Sequence, residues 1–106
     1  MLKEDDRLIA EEFKRRLIAE MPVLDFRVYG SRARGDATDE SDLDVFIELE
    51  SVTREQEARI SDIAWEVGFE KDRVICTCVA THEQLEVGPF AGSPLLLSIE
   101  TEGVRI

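Results

Sequence analysis

The chain has 106 residues, 13 of them basic and 24 acidic, for a formal charge of −11. That length suits one domain with a single modest core and excludes two. The acidic balance repels nucleic acid and anionic lipid, so a polynucleotide substrate is disfavoured unless one face is locally basic.

No stretch approaches the ~20 apolar residues of a membrane span, and Met1 to Asp6 lacks the apolar segment of a signal peptide. The expectation is a cytoplasmic protein with no membrane partner. The first element is a helix from about Asp6 to Met21. Ile9, Phe13 and Leu17 recur at helical spacing, with Leu8 and Ile18 beside them, and Pro22 ends it. A first strand follows at Phe26 to Tyr29 and breaks at Gly30-Ser31, and a loop rich in Arg, Gly and Asp leads into a second strand, Asp42 to Leu49.

On the second strand Asp42 and Asp44 lie two apart and share one face, while Leu43, Val45, Ile47 and Leu49 point to the other. Two carboxylates so placed repel each other unless a cation sits between them. Mg2+, the usual partner of one or two carboxylates plus substrate phosphates, fits that demand. The preceding turn suits the phosphates: Gly30 lets the backbone approach a ligand, Ser31 offers a hydroxyl and can cap a short helical turn, and exposed amides there attract anions. Arg32 and Arg34 add positive charge. Together these residues read as a site where a nucleotide's phosphates lie between a Gly-Ser turn and a carboxylate-bound metal.

Thr53 and Gln56 form a capping-box pattern, starting a helix that runs to about Val67 and stops near Gly68, with Ile60, Ile63, Ala64 and Val67 on its core stripe. Trp65 falls off that stripe, at its edge or on a contact surface. Arg73 to Ala80 is rich in β-branched residues and reads as a third strand. Its cysteines, Cys76 and Cys78, are poorly placed to bond each other, and with one histidine, His82, in the chain there is no four-ligand zinc set. They read as reduced, small core residues. Thr81 to Leu85 suits a helical turn, and Gly88 to Gly92 a loop. Ser93-Pro94 reads as N-cap and first position of a short helix through Ile99 that ends near Gly103. Leu95, Leu96 and Ile99 face the core together. Leu97, Trp65 and Phe90 suggest an apolar patch for another chain, a second copy in a homodimer included. The final Gly103 to Ile106 suits a short edge strand or a tail.

Other phosphate and metal motifs fail on their own residues. The acid-rich stretch Asp36 to Asp44 lacks the glycine of a calcium loop at its sixth place, and Ile47 stands where the bidentate glutamate belongs. Neither a Gly-Lys-Ser/Thr phosphate loop nor a Gly-x-Gly-x-x-Gly turn is present.

Gly30-Ser31-Arg32-Ala33-Arg34-Gly35 through Ser41-Asp42-Leu43-Asp44, with ten residues separating Ser31 from Asp42, closely resembles the signature of the minimal nucleotidyltransferases. These are the smallest members of the DNA polymerase beta-like superfamily, and the resemblance covers essentially the whole chain. It implies an α+β fold, a small mixed sheet with helices against one face and nucleotide and Mg2+ on the open side. It further implies that Gly30 and Ser31 contact phosphates, that Asp42 and Asp44 bind Mg2+, and that AMP passes from ATP to an acceptor hydroxyl with release of pyrophosphate. Many such proteins resemble antitoxins that pair with an all-helical HEPN-type toxin and adenylylate it. Active members usually carry a third acid on the next strand, where this chain offers Cys76, Thr77 and Cys78. Asp72 is a substitute if the strand begins late, with Asp36 and Glu48 less supported. Two classes of function follow: a nucleotidyltransferase, which the intact motif favours, or a catalytically weakened subunit that binds nucleotide or a partner.

Overall fold

The computed structural model describes residues 1–106. In chain order its elements are α1 (Glu4–Ile18), β1 (Asp25–Tyr29), α2 (Gly30–Arg34), β2 (Leu43–Leu49), α3 (Arg54–Lys71), β3 (Ile75–Thr81), α4 (His82–Glu86), α5 (Pro94–Glu102) and β4 (Val104–Arg105). The strands form one mixed sheet in the order β3-β2-β1-β4: β2 is parallel to β3 and antiparallel to β1, and β4 pairs antiparallel with β1. This is the expected α+β fold, and the C-terminal residues form an edge strand. No helix is long and apolar enough to cross a membrane.

The packed face follows from alternation. Leu43, Val45, Ile47 and Leu49 of β2 are buried with Phe26 and Val28 of β1 under α1 and α3. From α1 come Ile9, Phe13 and Leu17, with Phe13 edge-on to Phe26 at a centroid distance of 5.5 Å, and from α3 come Ile60, Ile63, Ala64 and Val67. Leu8 and Ile18, read as companions of that stripe, are exposed, because each points just past the ridge that meets the sheet. The other face is not bare: Phe46, Ala80 and Ile99 form a second, smaller cluster under α5, leaving the N-terminal end of β2 uncovered.

Several boundaries moved for local reasons. α1 starts at Glu4, because three acids, Glu4, Asp5 and Asp6, suit the positive end of a helix, and it ends at Ile18, three residues before Met21. α3 passes straight through Gly68 to Lys71. Glycine is needed there for clearance from the carbonyl of Arg73, and the left-handed cap is Asp72, at φ 56°. That cap delays β3 to Ile75. In α5 Leu96 and Ile99 are buried as expected, while Leu95 is exposed.

Candidate active site

β1 runs directly into α2, so the Gly30-Ser31 turn stands at the C-terminal end of this interior strand, beside the start of β2. The N-cap of α2 is Tyr29, not Ser31, and no side chain caps the helix. Ser31 is instead its second residue. An uncapped first turn leaves backbone amides free for an outside acceptor. Gly30 has φ 76°, and a β-carbon there would stand 2.5 Å from Oδ2 of Asp44. A side chain at position 30 therefore requires the Asp44 carboxylate to move.

Tyr29, Asp44 and Cys76 are direct neighbours across β1, β2 and β3, one row on the face opposite α1 and α3, at the end that α5 leaves open. Asp42 precedes β2 by one residue rather than belonging to it, and its Oδ2 accepts a hydrogen bond of 3.2 Å from the Cys76 thiol. Cys76 is thus exposed at the site, and Cys78 is half-buried beside Phe46; neither is the small core residue expected.

Electrostatics marks this row as a place short of positive charge. Burial, and then the charge of Asp42, raise the Asp44 pKa above its ordinary value, with Arg34 acting in the opposite direction. Burial, the bond to Asp42 and the charges of both aspartates push the Cys76 thiol up to about 11. Burial foremost, with Cys78, Asp44 and Cys76 adding to it, pushes Tyr29 up to about 12. At neutral pH the thiol and the phenol keep their protons, which leaves the carboxylates of Asp44 and of the adjoining Asp42 as the donor set here.

The two arginines of α2 separate. Arg34 is exposed, paired with Asp36 at 3.2 Å and Glu102 at 3.0 Å, and remains available to a competing anion. Arg32, expected to face phosphate, is buried: it holds both carboxylate oxygens of Asp6 at 3.1 Å and donates to the carbonyls of Ser41, Thr38 and Asp39. All its donor nitrogens are committed. Arg32 ties the loop before Asp42 to α1, a positioning task that sequence spacing does not reveal because Asp6 lies 26 residues away.

None of the substitutes for a third acid reaches the pair. Asp72 caps α3, Asp36 pairs with Arg34, and Glu48 pairs with His82 Nδ1 at 3.0 Å. No three His, Cys, Asp or Glu side chains converge as a metal cage. The donor set is two carboxylates, which suits a hard divalent ion that completes its shell with water and ligand oxygens. Burial, together with the charge of Asp42, raises Asp44, and that is the deficit such an ion relieves. Phe90 packs on the Phe46 cluster while Trp65 stacks on Phe69 of α3, so the apolar patch expected of Trp65, Phe90 and Leu97 is divided.

Solved structures share this architecture. A protein assigned as a minimal nucleotidyltransferase superposes over 100% of this chain and 97% of its own, with a TM-score of 0.67 and 23% identity. A toxin-antitoxin structure with AMP-PNP matches 90% of this chain and 70% of that one, with a TM-score of 0.61 and 16% identity. A nucleotidyltransferase assigned in Sulfolobus solfataricus covers 96% of this chain and 82% of its own, at 0.53 and 19%. At these identities the likeness establishes the fold. No curated protein sequence matches significantly. The family model of the nucleotidyltransferase domain matches residues 7–103, from within α1 through the Gly-Ser turn and both aspartates to the end of α5. The chain therefore belongs to the nucleotidyltransferase domain family.

Proposed function

We propose that this chain binds ATP with Mg2+ at the Gly30–Asp44 corner and transfers AMP to a hydroxyl on a partner protein. The observation that carries the reading is the seating of Asp44 against Gly30, beside an uncapped helical turn, with Asp42 as the second anion. In this reading the amides of Gly30 and Ser31, with the Ser31 hydroxyl, take phosphate oxygens, and Arg34 leaves its exposed carboxylate partners to add charge. Asp42 and Asp44 are the catalytic carboxylates and would hold Mg2+. Bound there, Mg2+ supplies neutralisation of the phosphates and of the departing pyrophosphate. Arg32 keeps Asp42 in place by fixing the carbonyls of the loop before it. The acceptor oxygen forms a bond to the α-phosphorus, the bond to pyrophosphate breaks, and the hydroxyl proton leaves to solvent.

In this reading the acceptor hydroxyl belongs to another protein that meets the nucleotide corner. A toxin-antitoxin neighbour supports a protein acceptor, and an all-helical HEPN-type toxin is the partner class we assign, with this chain as antitoxin. The site should work in the cytoplasm, where ATP and Mg2+ are abundant.

One observation favours a second reading. Where a third carboxylate would face the pair, Cys76 presents a protonated thiol, so a binding subunit with weakened transfer is the alternative. Incubation with ATP labelled at the α- or the γ-phosphate, in the presence of the candidate helical partner, separates the two. Label entering that partner from the α-position alone supports transfer. Tight ATP binding with no label transferred would establish the binding-subunit reading instead.

A further inference from the structure

The two edges of the sheet are unlike. On one side β4 is two residues long, which gives little to pair with. On the other, β3 is open over Ile75–Thr81, a strand without a charge or a proline. The amide of Leu43 donates to the carbonyl of Val74, so in this parallel ladder the even residues of β3 bond β2, and Ile75, Thr77 and Val79 turn their backbone groups outward. Proteins normally shield such an edge, because its free groups are a template for another strand.

Ile75 and Thr77 also line a groove of about 600 Å³ on the α3 side of the sheet, away from the aspartates of the nucleotide corner. A stacked aromatic pair lines it too: Trp65 and Phe69 are 68% and 75% exposed, with ring centroids 5.3 Å apart and planes within 14°. The charge of the groove is one-sided. Asp39, Glu40 and Asp72 bring exposed carboxylates that make no ion pair and accept no hydrogen bond. Arg73, the only cation in the lining, is spent on α1, where it meets Asp5 at 3.0 Å and Asp6 at 3.6 Å.

We propose that edge and groove together receive an extended, basic segment of another protein, which adds a strand to β3 and lays a lysine or arginine along Trp65 with its charged end among Asp39, Glu40 and Asp72. Charge selects this occupant. A second copy brings a β3 without a cation and a net charge of −11, and a nucleic acid brings phosphates, so the three carboxylates repel both. A basic side chain gains twice: the aromatic faces attract its charge and cover its aliphatic stem, and the unpaired carboxylates neutralise it. Pairing with Ile75, Thr77 and Val79 supplies affinity that is blind to side chains, whereas the groove supplies the preference for a basic residue beside Ile75 and Thr77.

The test titrates a short synthetic peptide that alternates valine with lysine into the purified chain, without nucleotide or metal, so its outcome is independent of the nucleotide corner. Emission of Trp65, the single tryptophan, should shift as the peptide binds, and calorimetry gives the affinity. The same peptide with glutamate for lysine should not bind, and the lysine peptide N-methylated throughout, which has no backbone donor, should bind more weakly by roughly tenfold or more. Asp39→Asn/Glu40→Gln/Asp72→Asn and, separately, Trp65→Ala should each weaken the lysine peptide by roughly tenfold or more and keep the wild-type circular dichroism, since all four side chains are exposed. Glu11→Gln/Glu55→Gln/Glu100→Gln removes the same charge from exposed acids elsewhere and should leave the affinity within about twofold. No binding of the lysine peptide would overturn the proposal, as would equal losses in the two triple variants, which would reduce it to attraction by net charge. Indifference to Trp65→Ala, or a glutamate or N-methylated peptide that binds as tightly, would also overturn it. A wild-type chain that dimerises in sedimentation equilibrium and excludes the peptide would give the edge to a second copy instead.

Discussion

The two sides of β2 are built on opposite terms. Toward α1 and α3 it sends Leu43, Val45, Ile47 and Leu49, each at most 1% exposed. Toward the other side it sends Asp44, Phe46 and Glu48, two acids around one apolar residue. On the first side burial of apolar area is the whole rationale, and any one contact is backed by others in the cluster. On the second side Asp44 lies partly buried beside a second aspartate, an arrangement that raises its pKa and costs stability. A costly placement on an otherwise consistent scaffold marks the part of a fold kept for a ligand.

The difference can be probed from its strongest side down. Ile47→Ala empties fully buried volume and should cost about 2–5 kcal/mol, read from the urea midpoint at constant slope. Gly30→Ala should cost about 1–3 kcal/mol from its positive φ and from the carboxylate it displaces. Adding Asp44→Ala should recover the part due to the clash, so near-additive losses would show that position 30 does not need Asp44 moved. Asp42→Asn/Asp44→Asn should hold or slightly raise the thermal midpoint at neutral pH. Ionised Asp44 costs stability once pH passes the usual 3.8 and rises through its raised folded value, and asparagine removes that cost. A clear drop in the midpoint would make the pair structural.

The smallest effect belongs to His82, also on the second side. Its bond to Glu48, with the charge of Glu86 adding to it, raises its pKa above 6.5. The stabilisation is therefore complete below 6.5 and fades as pH rises through the raised value. His82→Asn should flatten that part of the stability profile, and a profile unchanged by the substitution would remove the contact from the account.

Elements with strong periodicity or a cap were legible in the sequence. The capping box at Thr53, the helical turn after Thr81, the Ser93-Pro94 start and the alternation of β2 all have local causes, and the structure contains them, together with a capping box at Thr81 beyond those expected. Gly68 misled because a glycine that ends a helix and one that clears a neighbouring carbonyl look identical until Arg73 is in place. In the site the Gly-Ser turn and the Asp-x-Asp pair could be read from spacing. The parting of Arg32 from Arg34 could not, because burial of Arg32 depends on Asp6 from another helix. Nor could Cys76, whose place beside Asp42 follows from the parallel register of β2 and β3.

The central claim is that Asp42 and Asp44 make a metal-dependent nucleotide site on the uncovered side of β2. Calorimetric titration with ATP, with and without Mg2+, on the wild type and on Asp42→Asn/Asp44→Asn, tests it most directly. The account predicts binding to the wild type that requires Mg2+ and is lost in the folded double variant. Equal affinity of the two proteins for ATP in the presence of Mg2+ would contradict it.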